Sequence, residues 1–67
     1  MKIKRGSIEI KKMEEPVKIG KHTFRYEVEY VTYPYGTESP MLKREREFAE
    51  DIEDAKMWKK TLMKEVV

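Results

Sequence analysis

The sequence predicts an α+β fold: a small antiparallel sheet of three to four strands with one C-terminal helix packed on one face. Two patterns carry this. Aromatic and apolar residues occupy every second position across residues 22–33, the period of a strand. From Asp51 onward the apolar residues fall at helical spacing with no Gly or Pro among them. Strands followed by one helix give a two-layer structure. A chain of 67 residues fills one domain, spanning 1–67.

The elements follow in chain order. Ile8 and Ile10 alternate with Ser7, Glu9 and Lys11, the pattern of a half-buried strand. Ile3 has the opposite parity, and a bulge or bend at Gly6-Ser7 would restore its phase. Met13-Glu14-Glu15-Pro16 reads as a connection, because Pro16 has no N–H for a ladder. Val17 and Ile19 alternate again, and Gly20-Lys21 supplies a turn. Phe24, Tyr26, Val28 and Tyr30 then form one face of a long strand, with Thr23, Arg25, Glu27 and Glu29 on the other. This aromatic row is expected to pack in the core. Residues 33–40 read as a loop punctuated by Pro34, Gly36 and Pro40. Residues 41–48 read as an edge strand, with Leu42 and Phe48 on the same parity as Arg44 and Arg46. Asp51 is the expected N-cap of the helix. Its apolar stripe is Ile52, Ala55, Trp58, Leu62 and Val66, flanked by Met57, Thr61 and Met63. Acids in the first turn and Lys56, Lys59, Lys60 and Lys64 after it suit the helix dipole.

Composition restricts the chemistry. Without cysteine there is neither a disulfide nor a thiolate metal site, and one histidine, His22, cannot make a His-rich site. No metal and no cofactor is expected. The three glycines form no phosphate-binding motif. A nucleophile needs a positioned base, and His22, beside a turn, is the only imidazole for Ser7 or Ser39. No catalytic residue is assigned, and the protein is expected not to be an enzyme. No apolar run reaches membrane-spanning length, and the basic start lacks the apolar stretch of a signal peptide. A cytoplasmic location is expected. Charged residues make up 42% of the chain, and there is no Asn or Gln. That is the compositional trend of hyperthermophile proteins.

Two kinds of partner fit this surface. A protein partner would use Tyr33 and Tyr35 in the loop with Met57 and Met63 on the flanks of the helix, since Tyr and Met are favoured interface anchors. Nucleic acid would contact a basic strand face of Lys2, Lys4, Arg5, Lys11 and Arg25. The strands-plus-helix layout is similar to the arm-type domains of integrases. The net charge of +2 weighs against nucleic acid. The sequence therefore favours a non-catalytic protein-interaction module, with nucleic-acid binding as the alternative.

The chain's size, its Lys/Glu-rich, amide-free composition and the Met57-Trp58…Leu62-Met63 helix resemble small archaeal proteins of Thermococcales type, which include an inhibitor of the replicative sliding clamp. The resemblance implies a small protein that docks on the clamp and blocks its other clients, a regulator of DNA replication. The usual clamp-binding peptide begins with Gln and ends in two adjacent aromatics. This chain has no Gln and no adjacent aromatic pair, so no binding residue carries over by motif.

Overall fold

The computed structural model describes residues 2–67. Three strands, β1 (Glu9–Ile19), β2 (His22–Thr32) and β3 (Lys43–Ala49), precede one helix, α1 (Ile52–Met63). They form an antiparallel meander in the order β1-β2-β3, with β2 in the centre. The helix packs on one face of the sheet, as the sequence predicts. Val28, Tyr30, Ala49, Ala55 and Leu62 are buried between the layers together with Ile3, and Tyr26, Trp58 and Val66 pack at the margin.

The termini close one end of the sheet. Ile3 bridges antiparallel to Thr32 and parallel to Val66. Its N–H donates to the Glu65 carbonyl (2.9 Å), and its carbonyl accepts from the Val67 N–H (3.1 Å). The phase between Ile3 and β1 is recovered by a turn at Arg5-Gly6, closed by the Ser7 N–H donating to the Lys4 carbonyl (3.3 Å), which is the bend that the parity of Ile3 requires. Gly6 sits there at φ 79°, a left-handed conformation that favours glycine. Ser7 fills the gap: its hydroxyl donates to the Lys4 carbonyl (2.7 Å) and accepts from the Val31 N–H (3.1 Å).

Four sequence-based expectations are corrected. The Met13–Pro16 stretch does not separate two strands. It lies inside β1, where the pairing with β2 shifts between Lys12 and Val17. The third strand runs Lys43–Ala49 rather than 41–48, and its core residue is Ala49. Phe48 pairs across from Glu27, on the face away from the helix. Phe24 also leaves the aromatic row: its ring meets Phe48 (5.8 Å) and His22 (6.1 Å) rather than the core. The cause is length. β3 pairs only with Tyr26–Thr32, so β2 outruns its cover and Phe24 lies outside the buried cluster. Finally, the helix ends at Met63, and Val66 packs as a strand-like residue against Ile3. Ile52, at 37% exposure, lies off the core.

The overrun gives the molecule its shape. The β1–β2 hairpin projects beyond α1 and β3 as an arm tipped by Gly20-Lys21, with Gly20 at φ 61° as a two-residue turn demands. The molecule measures 40 × 19 × 19 Å, and its radius of gyration is 12.9 Å. A compact domain of this length has about 11 Å.

The helix start is well capped. Asp51 accepts from the Asp54 N–H (2.8 Å), and the Asp54 carboxylate accepts in return from the Glu50 N–H (3.3 Å). These bonds satisfy donors that a helix N-terminus leaves open.

Candidate functional site

The face of the sheet away from the helix has no second layer among the described residues. Alternation along β2 puts Glu27, Glu29 and Val31 on it, beside Glu9 and Lys11 of β1 and Arg44, Arg46 and Phe48 of β3. Ion pairs bind these into a lattice. Lys11 Nζ donates to Glu29 Oε2 (2.9 Å) and lies 3.7 Å from Glu9. Arg44 Nε reaches Glu29 Oε1 (3.1 Å), and Arg46 Nη1 lies 3.6 Å from Glu27. The Arg46 guanidinium also sits over the Phe48 ring (5.5 Å).

The lattice has two levels. The Glu27 and Glu29 side chains are only 17% exposed, whereas those of Arg44 and Arg46 are 76% and 65% exposed. The acids form the floor and the cations roof them. The hydrogen bond from Lys11 holds the Glu29 carboxyl below its ordinary range, and the same bond holds Lys11 above its own. Both groups are therefore charged at neutral pH. A hollow of about 210 Å³, lined by Ser7, Lys11, Glu29 and Arg44 among others, opens beside them.

The second feature is an apolar end. The β2–β3 loop leaves the sheet at Thr32 and returns at Lys43, which pair with each other. Ile3, bridged to Thr32, carries the C-terminus past the same end. Five of the large apolar side chains exposed among the described residues belong to the segments that reach this end: Tyr35, Met41 and Leu42 in the chain between β2 and β3, Met63 at the end of α1, and Val67.

The sequence-predicted residues divide between these features. Tyr35 and Met63 lie at the apolar end. Tyr33 joins them half-buried, its N–H held by the Lys2 carbonyl (3.0 Å). Met57 does not: six residues before Met63, it is about 9 Å down the helix and about 120° around it. It lines a separate hollow of about 320 Å³ with Asp54, Trp58 and Thr61. The predicted basic stripe is split as well. Lys2 and Lys4 flank Ile3, whose side chain is in the core, so alternation turns both toward the open face. Lys11 belongs to the lattice. Arg5 sits in the turn between Lys4 and Ser7. Arg25 stands on the arm, between Phe24 and Tyr26, about seven strand residues from Thr32 or roughly 23 Å away. Sequence reasoning missed Arg44 and Arg46 as members of this face. Their alternation with Glu45 and Glu47 was the available signal, but it needed the register to be used.

The residues weighed for catalysis do not meet. His22 Nδ1 lies 2.7 Å from Glu50 Oε1 near the arm tip. Ser7 and Ser39 are at the opposite end, after the Arg5-Gly6 turn and in the β2–β3 loop. No cluster of three or more His, Cys, Asp or Glu residues suited to a metal occurs among the described residues. No described helix is long and apolar enough to cross a membrane.

Tyr30 offers a pH readout of the core. Burial pushes its hydroxyl up to about 12, assisted by the nearby Glu47 carboxylate, to which it donates (3.2 Å). The folded state thus holds this proton more tightly than the unfolded chain, whose tyrosines titrate near 10. The stabilisation is complete below pH 10 and is lost as pH rises through 12. Two pH units correspond to about 2.7 kcal/mol, which solvent screening at the core margin reduces to about 1–2 kcal/mol. The stability difference between the native protein and Tyr30→Phe should fall by that amount between pH 9 and pH 12 in urea titrations. A constant difference would place the hydroxyl in water.

Comparison of the chain with protein-family models, with curated proteins and with solved structures gives no match in any of the three.

Proposed function

We propose that the protein is a non-catalytic interaction module, a regulator or inhibitor that docks its apolar end on a protein partner. The observation that carries this is the exposure of Tyr35, Met41, Leu42, Met63 and Val67 on the segments that reach one end of the sheet, with Tyr35 at 73%, Met41 at 59% and Met63 at 55% exposure. Exposed apolar residues scattered singly need no explanation, but several on neighbouring segments offer a partner apolar area to cover. Two of the five are methionines, whose unbranched side chains adapt to a partner, and Tyr35 is a residue of the kind that anchors interfaces. The rest of the surface is densely charged, which sets orientation and on-rate more than affinity. The compositional resemblance makes the replicative sliding clamp the first partner to test, within a wider class of information-processing proteins of a thermophile.

The test is binding of the purified clamp, and capture of partners from nuclease-treated lysate of the source cells, by the native protein and by Tyr35→Ser/Met41→Ser/Met63→Ser. Three lost anchors should weaken a specific contact by about a hundredfold or more. A folded triple variant that retains the same partner at the same affinity would remove this end from the interface. Loss on Met57→Ser alone would move the contact to the helix hollow.

A further inference from the structure

We infer that the open face of the sheet is a docking surface for duplex DNA, with the sheet seated in the major groove and its outer cations on the phosphates of both walls. This site is separate from the apolar end and does not depend on it.

Charge placement carries the inference. Composition alone argues against nucleic acid, because the net charge is only +2. The structure sorts the charges by height. On the open face the carboxylates of Glu27 and Glu29 lie low in the centre, and the cations stand above them. An approaching surface meets Lys2, Lys4 and Lys11 along one flank, with the single exposed acid Glu9 beside Lys11, and Arg44 and Arg46 along the other. Arg44 spends its Nε on Glu29, and its side chain is 76% exposed. Such a layer complements a polyanion.

Width selects the polyanion. The axes of β1 and β3 are two strand spacings apart, about 9.6 Å, a separation that lets long cationic side chains on the two flanks reach the phosphates on either side of a major groove about 12 Å wide. A-form RNA has a deep, narrow major groove that side chains cannot read. Single strands need exposed aromatic platforms, but here the Phe48 ring has Arg46 over it and Phe24 at its edge. Glu27 and Glu29, ion-paired beneath Lys11, Arg44 and Arg46, are screened from the phosphates by those cations. The helix, on the other face, points away from the duplex.

Fluorescence anisotropy with a labelled 16-base-pair mixed-sequence duplex tests this. Binding is expected at 50 mM salt, and five phosphate contacts predict several-hundredfold weaker binding at 200 mM. Arg44→Gln/Arg46→Gln should lower affinity at least about tenfold and flatten the log–log salt slope by about 2. Lys56→Gln/Lys59→Gln, with the same charge change on the helix side, should alter affinity by less than about threefold. Absence of binding at 50 mM would overturn the inference. So would equal losses from both pairs, which mark undirected attraction, or poly-glutamate competing as well as unlabelled duplex, which would assign the face to acidic proteins. Should circular dichroism show Arg44→Gln/Arg46→Gln unfolded, Lys2→Gln/Lys4→Gln, outside the ion-pair lattice, must produce the same change in slope for the inference to stand.

Discussion

Ile3→Ala is expected to cost about 3–4 kcal/mol and to leave a large part of the protein unfolded at room temperature. The whole fold of so short a chain is stabilised by about 3–10 kcal/mol. Among the described residues Ile3 is one of two large side chains that are fully buried, and it links the N-terminal segment to the C-terminal one. Its main chain is fixed on both sides by the bonds with Glu65 and Val67, and Lys2 and Lys4 continue the ladder to Tyr33 and Val31. The cavity left by the lost side chain cannot collapse without breaking those bonds, which puts the cost toward the upper part of the usual range. Ile3→Val keeps the contact and should cost about 1 kcal/mol. Urea denaturation of the two variants measures both. A loss below 1 kcal/mol for Ile3→Ala would mean that the terminal strand is an appendage to the core rather than a member of it.

Ile3 also marks how far the sequence can be read. Its parity demands a bulge or bend near Gly6-Ser7, and the chain turns there at Arg5-Gly6. Its pairing with Val66 is not legible, because Val66 falls four residues after Leu62 and satisfies helical spacing equally well. Only the turn at Lys64-Glu65, set by tertiary contact with Ile3, decides between the two. The third strand shows the same limit. Alternation separates Glu45, Glu47 and Ala49 from Arg44, Arg46 and Phe48, but it does not say which set faces the helix. Size and hydrophobicity point to Phe48, yet the close approach of α1 selects the small Ala49. The candidate sites are collective features of this kind. The loop of Tyr33 and Tyr35 is announced by its Pro and Gly residues, whereas its meeting with Met63 and Val67 depends on topology. The ion-pair lattice depends on cross-strand register, which no single-strand pattern contains.

Leu62→Ala is the second large effect, expected at about 2.5–4 kcal/mol. A helix of 12 residues is marginal alone, so α1 exists because it docks. Among its residues only Ala55 and Leu62 are buried, with Trp58 packed at the margin. Ala55 permits close approach but contributes little area. Leu62 and Trp58 therefore supply most of the apolar contact over Val28 and Tyr30. Met63, the next residue, is exposed, and Met63→Ser should change stability by less than about 0.5 kcal/mol. The adjacent pair thus separates folding from binding: Leu62→Ala lowers the urea midpoint, whereas Met63→Ser weakens partner capture on a stable protein. Because each layer covers the other's only core face, helix ellipticity and Trp58 fluorescence should fall together in one transition at the lowered midpoint. If the helix signal were lost first while β2–β3 amides stayed protected from exchange, the sheet would hold stability of its own. The two-layer core would then be the wrong account of what keeps this protein folded.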